Sequence, residues 1–231
     1  MAIVRLTYLL NATSFRELMT PLVPDLEEGN FRPLYLLAKQ TMEGNPELWF
    51  FMDDLILGPP LEEEEVEVSS PRRLLMMAMA PFVKPVSAPG SEESWWYPRT
   101  ALPLIGWSEL DIRLLIGGES LCRLLLPDKV YDPTLYEKDP RLIPWCGGYA
   151  GWQDVNLIAE LHHKLSQSRE AYFELVQHPE AIRKELPAKA PDGSLQPLEW
   201  FSPRLISGYE GMMRVMEIAL EAQSPLAVAI A

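Results

Sequence analysis

Cysteine is almost missing from this chain: Cys122 and Cys146 are the two in 231 residues. Two thiols build no disulfide framework, so a reducing, cytoplasmic setting is the expectation. Neither sits in a Cys-x-x-Cys pair or a Cys/His cluster, and no structural zinc site is expected. Histidine is as scarce, with only His162, His163 and His178. Long apolar runs are missing too. The longest, from Leu74 to Val83, is broken by Pro81 and falls well short of the roughly 20 residues that a membrane-spanning helix needs. Met1 to Leu10 carries Arg5 inside its apolar stretch and lacks a small-residue cleavage site, so it does not read as a signal peptide.

Positive charge is the next deficit. Twenty Lys and Arg face 33 Asp and Glu, a formal net charge of −13. Such a chain repels the phosphates of nucleic acid and of anionic lipid, and neither is an expected partner. The same field attracts a basic protein and speeds its approach. Catalytic signatures are also lacking. There is no Gly-x-Ser-x-Gly elbow, no His-Glu-x-x-His and no P-loop. No metal and no cofactor are expected. Gly147-Gly148-Tyr149-Ala150-Gly151 precedes a helix, where free amides can take an anion. It lacks the lysine and hydroxyl of a P-loop, so it is read as a connector.

What is present is an ordinary globular composition, 48% hydrophobic and 23% charged, enough for a sizeable core. Its pattern predicts a mainly α protein with a small β component (α+β), one globular domain over 1–231 with long Pro-rich loops. The one candidate internal boundary lies in 85–100. Residues 2–10, rich in β-branched and aromatic side chains, read as a strand. Helices are expected after a capping box at Ser14 and Glu17, over Phe31 to Met42 and from Pro46 to about Leu55, while Leu74 to Ala80 reads as a compact apolar segment. Further helices are expected over Ser108 to Ile116, Glu119 to Leu126, Gln153 to Leu165, Arg169 to Gln177 and, briefly, from Pro179. A last one should open at Ser207 with Glu210 as its capping partner and run to about Gln223, burying Met212, Val215, Met216, Ala219 and Leu220. Residues 85–100, 127–150 and 187–205 read as loops. The methionines Met76, Met77 and Met79 suit either a core or an adaptable surface.

Gly106-Trp107-Ser108-Glu109-Leu110-Asp111-Ile112 echoes Gly151-Trp152-Gln153-Asp154-Val155-Asn156-Leu157. Two copies make no repeat architecture, and shared helix-start chemistry accounts for both. In the first, Ser108 is the expected cap, Asp111 reaches back, and Trp107 staples onto Ile112.

Candidate functional residues fall into three groups. Glu160 and His163 stand at i, i+3 on one helix face and, with Asp154, form the only acid/base set that suggests itself. A second Glu-x-x-His would be needed for a carboxylate-bridged metal site, and there is none. Trp95, Trp96, Tyr97, Trp107, Trp145 and Trp152 gather in or beside the long loops, where aromatics either line a ligand site or plug the core. Glu62, Glu63, Glu64 and Glu65, continued by Glu67, form an acidic run that suits a solvated face or a basic partner. The reading that follows is an acidic protein-binding module (an inhibitor, an immunity-type protein or an adaptor) that meets a basic partner. The alternatives are a small-molecule binder or hydrolase with an aromatic-lined pocket, and a structural subunit or homo-oligomer that covers the apolar tail Leu226 to Ala231 by self-contact.

Overall fold

The computed structural model describes residues 5–44, 71–89, 101–120, 124–125, 150–178 and 201–230. Within them the chain is mainly helical around one small antiparallel sheet, as its composition and periodicity led us to expect. The strands are β1 (Arg5–Leu10), β2 (Val83–Val86), β3 (Glu119–Ser120), β4 (Ala150–Gln153) and β5 (Leu226–Ile230), in the spatial order β2-β1-β5-β4-β3. The helices are α1 (Ala12–Met19), α2 (Val23–Glu27), α3 (Arg32–Gly44), α4 (Pro71–Met79), α5 (Glu109–Gly117), α6 (Val155–Gln177) and α7 (Phe201–Glu221).

The C-terminal residues read as an uncovered tail are instead the central strand. β5 pairs with β1 on one side (Tyr8 opposite Ala227) and with β4 on the other (Trp152 opposite Ala227). Leu226, Ala227 and Val228 are buried in it. Side chains alternate across a strand, and here the alternation divides two cores. Tyr8, Leu10, Trp152 and Ala227 join the core built with α1 to α4. Leu226 and Val228, with Leu9 packed beside them, join the one built with α5, α6 and α7. The sheet is thus the middle layer between two sets of helices.

On the first face, Leu74 to Ala80 is buried residue after residue, all at 7% exposure or less. Met76, Met77 and Met79 therefore fill core together with Met19 and Met42, the use to which flexible thioethers are best suited. On the second face, α6 and α7 run antiparallel. Tyr172 Oη donates to the Leu205 carbonyl at 3.3 Å, Tyr209 Oη donates to the Leu165 carbonyl, and the two rings stack 4.6 Å apart. Burial pushes the Tyr209 phenol well above its usual pKa, with Arg169 opposing in part.

Several element boundaries differ from the sequence reading. Asn11, not Ser14, caps α1, its side chain accepting from the Ser14 amide at 3.2 Å. Residues 119–120 are strand rather than helix start, and β4 (Ala150–Gln153) takes in Ala150 and Gly151, read as connector, and Gln153, read as a helix start. The two helices expected over 153–177 are the single helix α6, within which the Ser166 and Ser168 hydroxyls donate to the His162 and Lys164 carbonyls one turn back. α7 starts at Phe201, so Ser207 and Glu210 lie inside it. Pro203 falls in its first turn, where a missing N–H costs nothing. The helix expected from Pro46 and the one from Pro179 lie outside the described residues.

Both sheet edges are blunted. The Asn11 amide donates to the Phe82 carbonyl at 2.8 Å. In register with it, Lys84 and Val86 face Leu9 and Thr7 as hydrogen-bonded pairs, so Val83 and Pro85 turn their backbone groups outward. Pro85 therefore offers no donor on the free edge, which discourages strand addition. The opposite edge, β3, is only two residues long.

Candidate functional site

The acid/base candidates all lie on α6 but do not converge. Asp154 is the helix N-cap and accepts from the Leu157 amide at 2.7 Å. Its carboxylate is committed to the orphan donors of the first turn. Glu160 and His163 share a face, as their spacing requires, and both are exposed. His163 stands roughly 13 Å farther along the axis than Asp154, at 1.5 Å per residue. Its neighbour His162 points elsewhere, with Nε2 3.8 Å from the Glu217 carboxylate on α7. No group of three metal-ligating side chains occurs among the described residues.

Two of the aromatic candidates are described, and the sheet separates them. Trp107 is 6% exposed in the α5–α6–α7 core, together with Ile112, its expected staple partner. Trp152 is 8% exposed in the core on the other face, and its indole N–H is buried without a partner. These two rings fill cores on opposite faces of the sheet. Trp95, Trp96, Tyr97, Trp145, the acidic run Glu62 to Glu65, and both cysteines lie outside the described residues.

Around Trp107 the structure assembles a polar cluster that sequence spacing did not reveal. Ser108 caps α5, accepting from the Asp111 amide at 3.2 Å and donating to Asp111 Oδ2 at 2.5 Å. Asp111 also pairs with the Lys164 ammonium from α6. That ammonium lies 4.9 Å from the centre of the Trp107 ring, close enough for a cation–π attraction. The Trp107 indole donates to Ser168 Oγ at 2.9 Å. Burial pushes the Asp111 carboxyl up, yet Lys164 and Ser108 outweigh it and hold the pKa below the ordinary value of 3.8. What the cluster does is clamp the start of α5 onto the middle of α6. Ser108 and Asp111 were legible as a cap, but Lys164 and Ser168 are brought to it by tertiary packing alone.

Gln153, fully buried in β4, plays a similar part at the other end of α5. Its Nε2 donates to the Leu114 and Leu115 carbonyls at 2.7 and 3.1 Å, tying the last turn of α5, where Leu114 also accepts the Gly118 amide at 3.0 Å, to the sheet.

Two surface depressions are formed by described residues. A cleft of about 540 Å³ lies where β1, β2 and β5 end, lined by Asn11, Thr13, Lys84, Gln223 and Ser224 among others. A more apolar groove of about 640 Å³ runs along α7, between Ala88-Pro89 and Pro203, Ile206 and Gly211. Both have the volume of small-ligand sites. Neither is lined by Asp154, Glu160, His163, Trp107 or Trp152.

No family model, no curated protein and no solved structure matches this chain.

Proposed function

We propose that the chain is an acidic protein-binding module, of inhibitor, immunity-type or adaptor character, that meets a basic partner. The observation that carries this reading is the net charge of −13. Among the described residues acids only slightly outnumber bases. The excess therefore resides mostly elsewhere in the chain, above all between Asp53 and Glu67. A negative segment of this density attracts a basic protein and speeds its approach. Asp154, Glu160 and His163 are spread along α6 and its N-cap rather than gathered in one pocket, which lends the enzymatic alternative no support.

The test is retention of a partner from extract of the source cells at low salt, on the immobilised chain and on a variant with Glu62 to Glu65 replaced by Gln. The reading requires a basic protein that the parent chain retains and the variant does not. It must also be released at about 1 M salt, where screening acts within about 3 Å. Recovery of no basic protein, or equal recovery by both chains, overturns it.

A further inference from the structure

We draw no further inference here: the strongest candidate, the cleft at the ends of β1, β2 and β5 lined by Lys84 and the first residues of α1, rests on a helix N-terminus and one exposed lysine, with no second observation that points to a ligand.

Discussion

Two glycines let α5 cross β4 at backbone distance. A Cβ on Gly151 would lie 2.0 Å from the Gly117 carbonyl oxygen and 2.5 Å from that of Glu119. One on Gly118, which also needs a positive φ of 70°, would lie 2.4 Å from the Trp152 oxygen. Backbone cannot step aside as a flexible side chain can, so Gly151→Ala and Gly118→Ala should each cost about 3 kcal/mol or more. Gly117 has nothing within 4 Å of its Cβ position, and Gly117→Ala should be neutral or gain up to about 1 kcal/mol. Urea midpoints of the three variants check this, and a Gly151→Ala protein as stable as the parent would contradict the crossing. Asp111 gives the pH dependence at this scale. Its folded pKa is depressed, so its contribution is complete above the unfolded value and is lost as pH falls through the folded one. Both it and Lys164 are partly exposed, which limits the pair to about 0.5–1 kcal/mol. Asp111→Asn should therefore lower stability by that amount at neutral pH, and the gap should close as pH falls below the ordinary carboxylate range. A gap that persists at low pH would mean that the carboxylate charge is not what matters.

At the scale of elements, the ends of helices carry most of the specification. α7 closes with the Gln223 amide on the Leu220 carbonyl (3.1 Å) and the Ser224 amide on the Ala219 carbonyl (3.0 Å), the paired bonds of a Schellman turn. Gln223 holds φ at 50°, a conformation that disfavours any residue with a Cβ. Gln223→Gly should relieve this and raise stability by about 0.5–1 kcal/mol, read as a higher thermal midpoint. An unchanged or lower midpoint would show that the side-chain bond from Gln223 Nε2 to the Leu220 carbonyl (2.8 Å) outweighs the backbone strain. Helix ends also decide what the sequence could reveal. The cap at Ser108, the stop at Gly117-Gly118 and the stripe from Met212 to Ala219 are local signals, and they were legible. The continuity of α6 was hidden because serines in a helix interior look like a break until their hydroxyls are seen bonded one turn back. The start of α7 was hidden because Pro203 reads as loop wherever its position in the first turn is unknown. For the polar cluster around Trp107 the cap could be read, but its partner Lys164 comes from a separate helix and has no spacing signature.

For the molecule as a whole, the decisive arrangement is the one that local pattern could least supply. Five apolar residues at the C-terminus, Leu226 to Ile230, carry no alternation that tells a buried strand from an uncovered tail. Only pairing with the distant strands β1 and β4 settles their place. That place makes β5 the seam between two cores, with Leu226 and Val228 packed to one side and Ala227 to the other. Residue-resolved hydrogen exchange at the amides of 226–230 is the most direct measurement of this account. If β5 is the central strand, those amides bonded to β1 and β4 exchange among the slowest in the protein, through global unfolding. Exchange there as fast as in an open chain would contradict the architecture on which the rest is built.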